Sequence, residues 1–353
     1  MGQLETRRAA DRKHAVRPLA LAVVVILASI SAWVSSQRKR ARQRGPEAAA
    51  FSDESLVRSI LGGFRNGYAQ VNGTRLHYVE GGSGPLLFLL PGWPETWWEF
   101  HKIMPRLDNY YRVVVVDLRG MGGSEKPRGG YDKKTMAEDI NQLIHSLGAK
   151  SAYVAGHDIG AMVAYSLAAN HPEAVRKLAI LENLHPNESW YGIPMLPHPD
   201  AFGSHVDEQH PVFPWWFAFN QLGNLPERLL QGRTAMFQAA IFDYLLADRS
   251  SISAHDRAVY SAAYSSPDAI RAGNAWYQNF GRDIDDFHAY GKLTMPVLGL
   301  GGQGYNRLKA YLPVHASDSR VQKIDGAIHY LPEEQPAAVF DALRDFFGDT
   351  NAH

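Results

Sequence analysis

A series of short apolar runs, separated by helical stretches, constrains this chain more than any other feature. The runs are PLLFLL (85–90), YRVVVVD (111–117), SAYVAG (151–156), KLAILE (177–182), MPVLGLGG (295–302) and VQKID (321–325). Short, near-continuous apolar segments suit strands buried on both faces, as in a parallel sheet. Helical stretches fall between them at 134–147, 159–170 and 333–347. In the last of these Val339, Leu343 and Phe346 share one face, and Pro332 precedes an acidic first turn that marks a helix start. Ahead of the series, YAQV and TRLHYVEGG flank an Asn-Gly pair and form a hairpin signal. The alternation stops between about 184 and 289, a block rich in aromatics, proline and helical patterns. The expected fold class is therefore α/β: a mostly parallel twisted sheet flanked by helices, with a helical cap inserted between two strands. The expected divisions are a basic N-terminus at 1–45, a linker at 46–66, core at 67–183, cap at 184–289 and core again at 290–353.

The charge balance separates the front end from the rest. The whole chain has 36 basic and 36 acidic residues, but residues 1–44 hold ten Lys/Arg against Glu5 and Asp11. The remainder carries 26 basic and 34 acidic residues, and a mildly acidic body is not a nucleic-acid surface. Between two basic clusters lies PLALAVVVILASISAWV, Pro18 to Val34, which is 17 residues without a charge. It reads as a single-pass membrane anchor, with secretion after signal cleavage as the alternative. Basic residues balance across the run, so no orientation follows. The absence of cysteine excludes disulfides, thiolate metal sites and cysteine nucleophiles. The histidines at 198, 205 and 210 fit no regular ligand spacing, and neither a metal nor a cofactor is expected.

The chemistry centres on YVAGHDIGAMVAY, residues 153–165. Gly156, Gly160 and Ala161 surround Asp158 with the small residues that a sharp strand-to-helix turn needs, the kind of turn that presents a nucleophilic serine elsewhere. On its own the stretch also suits an ordinary turn capped by Asp. An Asp carboxylate is ionised at neutral pH, with a pKa of about 3.9, and needs no base to attack. Attack on an ester carbonyl would give a poor mixed anhydride. Attack on a saturated carbon gives an alkyl ester, which water must then hydrolyse with the help of a base and an oxyanion hole.

AGHDIGAMVAY resembles the elbow of α/β-hydrolases that use Asp, the epoxide hydrolases and haloalkane dehalogenases. PGWPETWW (91–98) is similar to their oxyanion loop, with Pro91 where the family has histidine. DLRGMGGSEKP (117–127) and DGAIHYLPEEQP (325–336) resemble further family segments, and the likeness runs from about Tyr68 to Phe347. It implies the α/β-hydrolase fold, Asp158 as nucleophile, His329 as base and the backbone N–H groups of Trp93 and Ile159 as oxyanion hole. Gln303 stands where many relatives place the acid that orients the histidine. Glu182, ending LAILE, matches the alternative position used by some dehalogenases and by Cif-type epoxide hydrolases.

The leaving group distinguishes the substrates. An epoxide opens to an alkoxide that needs a proton, whereas a halide needs only hydrogen-bond donors. RAGNAWYQNF (271–280) resembles the cap helix that presents a ring-opening tyrosine, which gives Tyr277 that role. Trp215-Trp216-Phe217 matches W-H-F of Cif-type enzymes, so Trp216 takes the place of a donor histidine, and Trp215 and Trp216 are expected to line the pocket. Ile159 and Met162 stand where fluoroacetate dehalogenases have arginines, and Ile159 where haloalkane dehalogenases have Trp. The resemblance thus implies hydrolysis of a small hydrophobic epoxide by water. A hydrolytic dehalogenase is the second possibility, and a ligand-binding protein of the same fold with little turnover is the third.

Overall fold

The computed structural model describes residues 51–196, 206 and 212–348. The chain divides into two units, Met1–Ser52 and Asp53–His353, and all the strands and helices described fall in the second. Eight strands form one sheet in the order β1-β2-β4-β3-β5-β6-β7-β8. The hairpin β1 (Arg65–Val71) and β2 (Thr74–Gly81) turns at Asn72-Gly73 and adds antiparallel to β4 (Arg112–Asp117). From β4 onward every pairing is parallel, through β3 (Leu86–Leu90), β5 (Ala152–His157), β6 (Val175–Leu181), β7 (Val297–Gly301) and β8 (Ser319–Lys323). β3, β5 and β7 are buried along their whole length, as their unbroken apolar sequences require.

Helix α1 (Lys133–Ser146) packs against α2 (Ile159–Asn170), and α2 lies on β5 and β6. Between β6 and β7 the described residues make helices and loops without a strand. The helices there include α3 (Trp215–Gln221), α4 (Pro267–Gln278) and α5 (Phe280–Phe287). Because β6 and β7 are direct neighbours, this insertion leaves the sheet continuous. A buried ion pair joins it to the core: Lys133 Nζ on α1 lies 2.8 Å from Asp283 Oδ2 on α5 and donates to the Trp276 carbonyl at 2.8 Å.

Three sequence expectations differ from the structure. The helix expected over 333–347 is two, Leu331–Glu334 and α7 (Pro336–Phe347), because Pro336 has no N–H to continue the first. Helix α6 (Tyr305–His315), which covers β7 and β8, was not expected; Pro313 lies inside it and its apolar periodicity is weak. The membrane anchor is corrected as well. Among the described residues no helix is long and apolar enough to cross a membrane, and Pro18–Val34 lies outside them. The structure therefore supports neither a transmembrane helix nor a membrane-anchored location. The histidines at 198, 205 and 210 also lie outside the described residues.

Candidate active site

The turn from β5 into α2 holds Asp158 at φ 48° and ψ −116°, a conformation that costs about 1–3 kcal/mol for a residue with a side chain. Two glycines make it possible. A Cβ on Gly156 would collide with the backbone of Gly160, and one on Gly160 with the Leu90 carbonyl at the end of β3. The turn sets the Asp158 carboxylate at the floor of a cavity of about 550 Å³.

The two carboxylate oxygens have different surroundings. Oδ1 accepts from the Trp93 backbone N–H at 3.0 Å, and the Ile159 N–H also donates to the carboxylate. These two amides face the carboxylate from the oxyanion loop and from the start of α2. Oδ2 accepts from Asn183 Nδ2 at 2.5 Å and lies 3.7 Å from His329 Nε2. Burial raises the Asp158 pKa, while the charge of His157 and the two amides favour the ionised form. His329 is driven well below the usual imidazole range by burial and then by the charges of His157 and Arg307. Its ring is thus neutral near pH 7, the state a general base requires.

The main chain of His329 is fastened on both sides. Its N–H donates to Glu334 Oε1 at 2.9 Å, and its carbonyl accepts from His157 Nε2 at 2.8 Å. No hydrogen bond joins His329 to Glu182 among the described residues. Glu182 instead accepts from the Gly302 N–H at 2.7 Å and from the Gly304 N–H. Burial raises its pKa to about 7 against those amides and Arg307. Glu182 borders the same cavity as His329 and has φ 68°, a second strained residue beside the elbow.

Tyr277 on α4 is buried and borders the cavity, its ring 5.5 Å from that of Trp93. Burial and the Asp158 charge push its hydroxyl well above the usual range, so it holds its proton. Trp216 borders the cavity as well. Trp215 does not; it packs on Phe219 and Phe237. The walls are otherwise largely apolar, with Arg307 the one cation among the described lining residues.

Sequence reasoning missed Asn183, although it directly follows Glu182 at the strand end. It also missed the buried group beneath the elbow. His157 Nδ1 lies 3.1 Å from Glu99 Oε1 and 3.8 Å from Glu95 Oε2, and Glu99 Oε2 accepts from the Gly92 N–H at 2.7 Å. These three residues could offer ligand atoms to a metal, all within 4.8 Å of one another. Protons account for the same arrangement. Burial opposes a charge on His157, but Glu99 and Asp158 outweigh it and raise the pKa to about 9. Burial and the Glu99 charge lift Glu95 well above the carboxylate range, which favours its protonated form. Both Glu95 and Glu99 were open to detection, since they sit four residues apart inside PGWPETWWE.

A strand-borne Asp at a strained elbow, an amide pocket and a histidine from the loop after β8 define an α/β-hydrolase site. The family model for the alpha/beta hydrolase fold matches residues 85–305, and the chain belongs to that family. Among its relatives is the soluble epoxide hydrolase of Corynebacterium sp. strain C12, 32% identical over 290 residues, which are 79% of this chain and 96% of that protein. Cfl2 of Burkholderia cenocepacia has a similar crystal structure, with a TM-score of 0.72 and 32% identity over 84% of this chain and 98% of its own. The fluoroacetate dehalogenase of a Burkholderia species is 38% identical over 125 residues, 34% of this chain and 41% of that protein.

Proposed function

We propose that this protein hydrolyses an epoxide to a vicinal diol through an alkyl ester on Asp158. The observation that carries the proposal is the split environment of the Asp158 carboxylate. Oδ1 rests on the Trp93 N–H while Oδ2 is left toward His329 Nε2 at 3.7 Å. In the first step the Oδ2 lone pair attacks a ring carbon, the carbon–oxygen bond breaks, and Tyr277 supplies the proton that the alkoxide needs. In the second, His329 takes a proton from water as the water adds to Cγ. The negative charge then falls on Oδ1, where the amides of Trp93 and Ile159 stabilise it; losing one such donor typically costs about 100- to 1000-fold. Glu182, which borders the same cavity as His329, supports the imidazolium by its charge. The apolar cavity suits a hydrophobic substrate, and the relative named soluble epoxide hydrolase covers most of the chain.

A panel of epoxides and haloalkanes, scored for diol and halide release, tests this. Diol release that Asp158→Asn abolishes is expected; diol release unchanged in that variant overturns it. Hydrolytic dehalogenation is the second reading, favoured by Trp216 and Tyr277 on one cavity and by the fluoroacetate dehalogenase relative. Against a haloacid substrate stand Ile159 and Met162, buried and apolar beside the nucleophile. Halide release without diol release would select that reading.

A further inference from the structure

Asn183 lies on the same cavity as Asp158 and donates to Oδ2, the oxygen that attacks in the proposed mechanism. An ionised carboxylate only accepts, so the amide nitrogen is the group that faces it. The contact is built into the fold. β6 ends at Leu181, and Glu182 then takes φ 68°, which reverses the chain. The Glu182 N–H donates to the Leu300 carbonyl at 2.8 Å, and its carboxylate is tied to the amides of Gly302 and Gly304. The Asn183 N–H donates back to the Leu181 carbonyl at 2.8 Å. The strained turn is thus fastened at its backbone and at its side chain, and it delivers Asn183 Nδ2 to within 2.5 Å of Oδ2.

A hydrogen bond on the attacking oxygen does not favour the first step, because it stabilises the lone pair that must attack. Its use lies in the second step. Ester hydrolysis at Cγ breaks the Cγ–Oδ2 bond. The electron pair of that bond goes to Oδ2, which leaves inside the diol, and the water oxygen takes its place on Asp158. Negative charge therefore develops on the atom that Asn183 touches, and the proton that neutralises it comes from the His329 imidazolium. We infer that Asn183 is a catalytic residue of the hydrolytic step, donating to the departing oxygen as the ester breaks. This rests on the proposed Asp158 ester.

The test is rapid-quench kinetics of the full chain with intact-mass detection of the ester, in wild type, Asn183→Leu and His329→Gln. Leucine keeps the volume and removes the donor, and Asn183→Ala serves if the leucine variant does not fold. Alkylation at or above the wild-type rate is expected, with ester hydrolysis slowed about 10- to 100-fold, the worth of a hydrogen bond to a charged group. The covalent fraction at steady state then rises. The loss should also shrink for epoxides whose product alcohol is more acidic, since such an oxygen leaves with less help; a merely structural role would not produce that dependence. Hydrolysis at the wild-type rate in the variants, or a loss confined to alkylation, overturns the inference. If His329→Gln accumulates ester while the Asn183 variants do not, the inference alone fails. If no variant forms an ester, both it and the proposed mechanism fail.

Discussion

Replacing His329 by glutamine should separate the two chemical steps. The first step needs an ionised Asp158 in the right orientation, and His329 contributes no hydrogen bond to it: its Nε2 is 3.7 Å from Oδ2. The Trp93 N–H bond that holds Oδ1, and with it the direction of Oδ2, is untouched by the substitution. The loop is held by main-chain bonds, the His329 N–H to Glu334 and the His329 carbonyl to His157, which do not depend on the side chain. The second step loses its base. General-base catalysis contributes about 10²–10⁴-fold, which corresponds to roughly 3–5 kcal/mol of barrier. The variant should therefore alkylate once per site and stall. Intact-mass spectrometry after mixing with an epoxide reads this directly. Ring opening expels nothing, so the protein should gain the whole mass of the epoxide, whereas a haloalkane would add its alkyl group without the halogen. Peptide mapping should place the added mass on the Asp158 peptide. A variant that turns over at the wild-type rate, or loses alkylation in step with turnover, would refute the assigned role.

Tyr277→Phe removes the proton donor and should slow alkylation by epoxides about 10²–10⁴-fold, with a smaller effect on haloalkanes; single-turnover rates on both substrates check it. Glu182 titrates at about 7, so the hydrolytic step should weaken as pH falls through that value, and Glu182→Gln should flatten this limb of the pH–rate profile while slowing hydrolysis above it. The same raised pKa makes a stability prediction. Between the usual 4.5 and about 7 the folded protein keeps a proton that the unfolded chain has lost, so the Glu182 contribution falls as pH rises through that window. Denaturant titrations should show this slope reduced in Glu182→Gln. Lys133→Met leaves Asp283 buried without its partner and should cost roughly 3–5 kcal/mol, and adding Asp283→Leu should recover much of the loss.

The parallel sheet was open to the sequence because its inner strands are compact apolar runs with turn signals on either side, whereas the edge strand β8, SRVQK, is polar and largely exposed. Asp158 was open to it because a sharp elbow demands small neighbours, and Gly156 and Gly160 are where that geometry needs them. What escaped depends on tertiary placement. Helix α6 carries Pro313 and weak periodicity, so nothing local announces it. Trp215 and Trp216 are indistinguishable as adjacent aromatics, yet the direction of α3 gives the cavity only the second. Asn183 reaches the nucleophile through a left-handed turn at a glutamate, a conformation that local preference argues against. The pairing of Glu95 and Glu99 with His157 joins the loop after β3 to the end of β5, residues distant in sequence. The N-terminal run was read as a span from hydropathy alone; among the described residues, which do not include it, no helix is long and apolar enough to cross a membrane.

The central claim is that the diol takes one oxygen from Asp158 and that water restores it. A single turnover in water enriched in heavy oxygen, with enzyme in excess over an epoxide, tests this most directly. The account predicts an unlabelled diol and one heavy oxygen in the Asp158 peptide after the first turnover. A labelled diol with Asp158 unlabelled would mean that water attacks the epoxide itself, and would contradict the account.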